Sequence, residues 1–126
     1  MEIYVTHSRS FDFKNELYLP IKNSSLNREH KFIFPHEVSD EPFDSKPLIM
    51  SGRLGLLIAE TSYKSTGQGV EIGWADSVNI PIALLYKSGL QPSNSLSRVS
   101  NLWIGYSSDS ELIKGIERII TTLSKK

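Results

Sequence analysis

Short apolar runs alternate with mixed polar segments along this chain, and the alternation predicts its secondary structure. The predicted strands are residues 3–5, 31–34, 54–59, 80–86 and 102–104. The run from Leu54 to Ala59 is almost wholly apolar, which is typical of a strand buried on both faces of a parallel sheet.

Helical patterns lie between these runs. The predicted helices are residues 11–19, a short or irregular helix within 40–51, residues 67–78, and an amphipathic helix that follows Ser108. Pro20 is expected to end the first helix, because proline lacks a backbone donor. Ser108 and Glu111 have the spacing of a capping box at the start of the last helix. The predicted loops are residues 6–10, 23–30, 60–65 and 87–100.

This order of elements predicts an α/β fold, because strands that alternate with helices form a parallel sheet covered on both faces. We expect a flavodoxin-like (Rossmann-like) three-layer sandwich with a five-stranded parallel sheet. Residues 1–126 are expected to form a single domain, since this length suits one domain of ordinary size. In such folds the ligand lies at the carboxyl ends of the strands, near the point where the strand order reverses.

Composition narrows the classes of partner. Lys+Arg and Asp+Glu both number 14, so the formal net charge is zero, without the basic excess that usually accompanies a nucleic-acid polymer as partner. A single nucleotide is still compatible with this balance. There is no cysteine, and the three histidines are too scattered to indicate a metal site. Without a recognisable signal peptide or an apolar run of membrane-spanning length, we expect a soluble cytoplasmic protein with no membrane partner.

The segment from Ser65 to Glu71 is the strongest local signal for chemistry, because it follows the buried strand and opens a helix. Gly67 and Gly69 would let a ligand approach the backbone closely. The start of a helix favours negative charge, so a carboxylate at Glu71, within the first turn or so, should stay ionised and suit a nucleophile. The alternative is a glycine-rich turn whose acidic residue only stabilises the helix.

The loop after the first strand is the second candidate, since a sheet of this type places it beside the glycine-rich segment. Ser8, Arg9 and Ser10 could hold a phosphate through hydroxyls, backbone N–H groups and a guanidinium. The alternative is an ordinary polar loop that caps the next helix. His7 and His36 follow strands at the same edge and could contact a ligand, although a single histidine is more often a hydrogen-bonded or surface residue.

Three segments resemble the signature of the nucleoside 2-deoxyribosyltransferase-like family, which includes the 2′-deoxynucleoside 5′-phosphate N-hydrolases. They are the opening residues 3–8, the strand and glutamate at 56–60, and the Gly-x-Gly-x-Glu-x-Gly region at 65–75. The similarity is clear at both ends of residues 3–75 and weak after them.

The resemblance implies that Glu71 attacks C1′ of a deoxyribose and displaces the base, after which water or a second base resolves the glycosyl-enzyme. It also implies that Tyr4 lies near the sugar and the nucleophile, and that Ser65 contacts the sugar or the phosphate. Ser8 and Ser10 fall where phosphate-using members bind the 5′-phosphate. The implied ligand is a nucleotide or nucleoside, with no cofactor, in a homodimer or larger homo-oligomer.

Two further positions bear on activity. Asp44, in an acidic stretch after the second strand, lies near the position of the family's base-protonating aspartate. Gly55 departs from the family, whose members commonly have an aspartate there that helps to organise the site. The sequence therefore predicts an N-glycosidase acting on deoxynucleoside 5′-monophosphates or deoxynucleosides. A nucleotide-binding relative without turnover, or a nucleoside 2-deoxyribosyltransferase, remains the alternative.

Overall fold

The computed structural model of the chain describes residues 1–125 and contains a five-stranded sheet in which every neighbouring pair of strands is parallel. The strands are β1 (Glu2–His7), β2 (Lys31–Ile33), β3 (Leu54–Glu60), β4 (Ile82–Lys87) and β5 (Leu102–Tyr106). Their order across the sheet is β2-β1-β3-β4-β5. The predicted flavodoxin-like order is confirmed, and the point of reversal lies between β1 and β3.

Helices connect the strands and cover both faces of the sheet. They are α1 (Leu19–Lys22), α2 (Leu26–Glu29), α3 (Lys46–Met50), α4 (Thr66–Ser77) and α5 (Asp109–Ser124), with a π-helical turn over Lys14–Tyr18 and a 3₁₀ turn over Asn94–Arg98. The predicted cap of α5 is present, because Ser108 Oγ accepts the Glu111 N–H at 3.2 Å. None of the helices within residues 1–125 is both long enough and apolar enough to cross a membrane.

The central strand β3 shows why the sheet forms the middle layer. Leu56 and Ile58 pack into one apolar core with α1 and α5, whereas Leu57 and Ala59 pack into a second core with α3 and α4. Successive side chains of a strand point to opposite faces, so a continuous apolar run supplies both cores at once. Burial of each large aliphatic side chain contributes about 1.5–3 kcal/mol relative to exposure.

The prediction that Pro20 ends the first helix is wrong. The helical path begins at Lys14, not Phe11, and continues through Pro20 to Lys22. Leu19 N–H binds the carbonyl of Lys14, five residues back, which is the wider π-helical pattern. This wider turn lets the chain pass the proline, whose ring would clash with the carbonyl four residues earlier in a regular α-helix.

All four predicted loops are shorter than expected, and Glu60, the first residue of the predicted loop 60–65, is the last residue of β3. Thr6 and His7 belong to β1, because they continue the ladder opposite Ala59 and Glu60 of β3. The segment 23–30 contains α2, and the segment 87–100 contains the 3₁₀ turn. The end of β1 was predicted as a loop because Thr6 and His7 are polar. Both side chains are nevertheless buried at the sheet edge.

Gly55 lies at the second position of β3, near the amino end of the strand. A Cβ atom there would come within 2.9 Å of Met1 Cβ. The strand runs five residues further to its carboxyl end, a distance of about 16 Å at the usual rise. A side chain at position 55 therefore lies far from the carboxyl edge of the sheet in the same chain, which is the edge where the family resemblance predicts the chemistry.

Candidate active site

Glu71 projects from the second turn of α4. The helix begins at Thr66, and Ser65 caps it by accepting the Gln68 N–H at 3.3 Å. The free N–H groups of a helix lie in its first turn, and Glu71 lies beyond that turn. The prediction that the helix start stabilises the Glu71 carboxylate is therefore wrong.

Three hydroxyl groups hold the Glu71 carboxylate instead. Tyr4 donates to Oε2 at 2.7 Å, and Thr6 donates to Oε1 at 2.6 Å. Ser45 makes a further, short hydrogen bond to Oε2. A carboxylate offers about four lone-pair positions, so these three donors leave Oε1 with free acceptor capacity. The group is thus oriented, and one of its oxygens can still reach a ligand.

The strand geometry explains why two of these donors come from β1. Tyr4 and Thr6 are two residues apart, so both point to the face of the sheet on which α4 packs. Ser45 immediately precedes α3, and α3 packs against α4. Three separate segments therefore converge on one carboxylate through the packing of α3 and α4 on the sheet.

Tyr4 is positioned to keep its proton. Burial raises the pKa of the Tyr4 hydroxyl well above its ordinary value, and the nearby Glu71 charge raises it further. The phenol is therefore neutral across the physiological range and acts as a donor. It also stacks on Phe43, with ring centroids 6.0 Å apart, so the Tyr4 side chain has little freedom to leave Glu71.

Glu71 lies in a cleft of about 360 Å³ at the carboxyl edge of the sheet. The end of β1, the turn at Pro35 and His36, the segment 42–45 and the first turns of α4 form its walls. Apolar walls with a few convergent polar groups are typical of small-molecule sites, which span about 300–1,000 Å³. Phe43 and Trp74 supply aromatic wall surface. A larger cleft of about 600 Å³ lies on the other side of the α4 start.

Gln68 fixes the first turn of α4 to the sheet. Its buried side-chain amide donates to the carbonyl of Glu60 at 2.6 Å and to the carbonyl of Thr6 at 3.3 Å. Glu60 is the last residue of β3, and Thr6 is the last but one of β1. One amide therefore joins both strands to the helix three residues before Glu71, which sets how deeply the carboxylate enters the cleft.

The predicted phosphate loop is only partly in the cleft. Arg9 lines it, and its guanidinium lies 3.8 Å from the exposed carboxylate of Asp40. Ser8 and Ser10 do not line it; their hydroxyl oxygens are 2.8 Å apart, and the Ser8 hydroxyl also accepts the Ser10 N–H at 3.1 Å. The serines thus shape the loop that presents Arg9.

His7 is a packed, neutral side chain. Its Nδ1 lies 2.8 Å from the carbonyl of Ser8, so Nδ1 carries the hydrogen and Nε2 accepts from the Tyr18 hydroxyl at 2.5 Å. Burial lowers the pKa of His7 to about 4. The ring stacks on Phe13 with centroids 4.3 Å apart. His7 also lines the cleft, so a contact between its ring and a ligand stays a prediction.

The structure brings together seven of the residues that the sequence suggested for the site and separates the others. Those that line the cleft are Tyr4, His7, Arg9, His36, Ser65, Gly67 and Glu71. Gly69 faces the larger cleft instead, and Asp44 is exposed between two residues that do line the site. The catalytic role predicted for Asp44 therefore stays a prediction without a contact to Glu71.

Sequence reasoning missed Thr6, Ser45 and Gln68. The alternation of β1 could have identified Thr6, since it shares a face with Tyr4. Ser45 and Gln68 carry no comparable signal, because their roles depend on where α3 and α4 pack. Among residues 1–125, no three His, Asp or Glu side chains lie close enough together to hold a metal ion.

The fold and this edge site define the class of the protein as a three-layer α/β protein with a small-molecule cleft at the strand reversal. Its fold is similar to the solved structure of a CMP N-glycosidase from Clostridium botulinum, with a TM-score of 0.62 and 20% sequence identity. The match covers 93% of this chain and 99% of that chain. No protein-family model matches the sequence, and no curated protein matches it significantly.

Proposed function

We propose that the protein cleaves the bond between base and sugar in deoxynucleoside 5′-monophosphates or deoxynucleosides, with Glu71 as the nucleophile. The observation that carries the proposal is the Glu71 carboxylate, which faces the cleft and is held by the hydroxyls of Tyr4, Thr6 and Ser45. A nucleophile must be oriented before it attacks, and fixed donors achieve this orientation before the substrate arrives.

The first step forms a bond between Oε1 of Glu71 and C1′ while the bond from C1′ to the base nitrogen breaks. Water then attacks C1′, and the ester bond breaks to return the carboxylate. Arg9 at the rim offers a guanidinium to a 5′-phosphate, which supports a phosphorylated substrate over a free nucleoside. The CMP N-glycosidase activity of the structural neighbour supports the same reaction class.

A base-release assay tests this proposal directly. The protein is incubated with each deoxynucleoside 5′-monophosphate, with the free deoxynucleosides and with CMP, and released base is measured by chromatography. Intact-mass spectrometry after an acid quench should show the protein plus one covalently bound sugar phosphate. Asp76→Asn is the matched control, because Asp76 is an exposed acid of the same helix. Absence of base release from every substrate, or full release by Glu71→Gln, would reject the proposal.

A nucleotide-binding protein without turnover is the second candidate, and the exposed position of Asp44 favours it, since no aspartate lines the described cleft. Calorimetry separates the two. Tight binding of a nucleotide together with no released base, even at high protein concentration, would support the binding protein. Any release that depends on Glu71 would exclude it.

A further inference from the structure

Gln68 has an amide oxygen that no group of the chain binds. The residue is 5% exposed, and its amide nitrogen donates to the carbonyls of Glu60 and Thr6. A primary amide has two N–H donors, and both are used here, so the direction of the amide is fixed. Within residues 1–125, no N–H or O–H group donates to its Oε1. Since buried polar groups almost always have partners, this oxygen indicates a partner outside the chain.

The free oxygen of Gln68 can be reached from a cleft. The one side-chain polar atom of residues 1–125 that is both fully enclosed and unpartnered is Nδ1 of His36, so Oε1 of Gln68 keeps accessible surface. Gln68 lines the Glu71 cleft and also the larger cleft beyond the start of α4. A ligand beside Glu71 therefore meets an acceptor whose orientation is set before the ligand binds.

The chemistry of an amide oxygen decides which group it binds. This oxygen accepts hydrogen bonds and cannot donate them, so it needs a donor on the ligand. A phosphate dianion offers no hydrogen and is unsuited to this position. Two kinds of donor occur in a nucleotide: a hydroxyl of the sugar and an amino group of the base.

The direction of attack chooses between these two donors. A nucleophile that displaces the base approaches C1′ from the face of the sugar opposite to the base. Gln68 and Glu71 are three positions apart on α4, so their side chains leave the same side of the helix with Cβ atoms about 5–6 Å apart. Gln68 therefore lies on the attacked face of the sugar, away from the base. The 3′-hydroxyl of a deoxynucleotide projects from that face.

We propose that Oε1 of Gln68 accepts a hydrogen bond from the 3′-hydroxyl of the sugar and thereby selects the substrate. The proposal rests on the N-glycosidase function proposed above, because the direction of attack at C1′ identifies the hydroxyl. A nucleotide within a nucleic-acid strand, or one that carries a 3′-phosphate, has no such hydrogen to donate. The substrate class is therefore a mononucleotide with a free 3′-hydroxyl.

Analogues with fluorine at C3′ test the hydrogen bond. Fluorine keeps much of the electron withdrawal of a hydroxyl but has no hydrogen to donate. The kcat/KM of each deoxynucleoside 5′-monophosphate is compared with that of its 3′-fluoro counterpart. We expect the wild-type protein to prefer the hydroxyl at least about 10-fold, because the fluoro compound leaves the Gln68 oxygen unpaired.

Gln68→Met separates recognition of the hydroxyl from a structural role. The loss of the two hydrogen bonds to β1 and β3 should lower activity on both substrates equally and leave their ratio unchanged. Loss of the acceptor should reduce the preference to under about 3-fold, whatever the overall activity. Gln91→Met is the matched control, because Gln91 is exposed and lines neither cleft. Circular dichroism checks that each variant is folded, and the wild-type ratio needs no variant.

Calorimetry with Glu71→Gln measures the same preference without turnover. The deoxynucleotide should bind at least about 5-fold more tightly than its 3′-fluoro counterpart, and adding Gln68→Met should remove the difference.

The outcomes are distinguishable. A wild-type preference below about 10-fold, or one that is unchanged in folded Gln68→Met, would overturn the inference, while base release would keep the proposed function. No base release by the wild-type protein from any substrate would reject the proposed function. The binding preference would then decide by itself whether Gln68 binds the hydroxyl.

Discussion

Glu60 and Glu71 are both carboxylates at the carboxyl edge of the sheet, and each is hydrogen-bonded to a tyrosine and a serine. Glu60 accepts from Tyr106 and from the N–H and hydroxyl of Ser62, the latter two at 2.7 and 3.0 Å. Glu60 is 0% exposed and points to the α5 face, whereas Glu71 is only partly buried and opens to the cleft.

The two sites show that a set of hydroxyl donors does not by itself mark a nucleophile. Burial raises the pKa of Tyr106 beside Glu60, as it raises that of Tyr4 beside Glu71. Donor chemistry is therefore similar on both faces of the sheet. The two carboxylates differ in whether a ligand can reach them. We therefore expect Glu60 to stabilise the fold and Glu71 to react with the substrate. Four predictions test this division, from the largest expected effect to the smallest.

Glu71→Gln should lower the rate of base release at least about 1,000-fold, because an amide cannot replace the attacking carboxylate. The free energy of unfolding should stay within about 1 kcal/mol of wild type, because Glu71 is only partly buried and the Thr6 hydroxyl can turn to accept from the new side-chain N–H₂. Base-release kinetics and urea unfolding measure the two quantities. A large loss of stability with retained activity would reverse the roles assigned to the two carboxylates.

Lowering the pH should reduce the free energy of unfolding, because His7 is buried on the same face of the sheet as α5. His7 ends β1 and lies opposite Glu60 of β3. Burial holds the pKa of folded His7 at about 4, below its ordinary value of 6.5. The unfolded chain then binds more protons between these values, so this contribution is fully present above pH 6.5 and falls as the pH drops towards 4. The total loss is about 3 kcal/mol.

Urea unfolding of wild type and His7→Gln across this pH range measures that contribution. Carboxylates titrate in both proteins, so the difference between the two curves belongs to His7. Parallel curves would contradict the burial argument.

Glu60→Gln should destabilise the fold by about 2 kcal/mol, because the amide cannot accept from all the donors that surround a buried carboxylate. Thermal unfolding with a urea titration gives the value. The rate of base release at a temperature where the variant is fully folded should change far less than in Glu71→Gln. Losses of activity of similar size in both variants would contradict the division between the two faces.

Thr6→Val and Ser45→Ala should each lower kcat/KM about 10-fold, since each removes one hydroxyl that orients Glu71 without removing the nucleophile. Thr61→Val is the matched control: the Thr61 hydroxyl is buried near the same edge and donates to the carbonyl of Leu85 at 2.8 Å. Unchanged activity in Thr6→Val and Ser45→Ala would show that Tyr4 alone positions the carboxylate.

Much of the fold was predictable because it depends on local pattern. The run from Leu54 to Ala59 indicated a strand buried on both faces, and the apolar spacing after Ser108 indicated the last helix. The segment around Pro20 was mispredicted, since a π-helical turn leaves no simple mark in the sequence. Membership of the nucleoside 2-deoxyribosyltransferase-like family, a single domain over 1–126, a dimer or larger oligomer and a cytoplasmic location stay predictions.

The sequence by itself determined the five parallel strands, their order and the place of Glu71 at the sheet edge, because strand burial, helix capping and chain connectivity act over short distances. Only the tertiary structure decided which groups meet that carboxylate. Tyr4 and Ser45 lie 67 and 26 positions from Glu71 in the chain, and their hydroxyls reach it only because α3 and α4 pack on one face of the sheet. The same packing leaves Asp44 in solvent and His36 in the cleft, which no local pattern could show.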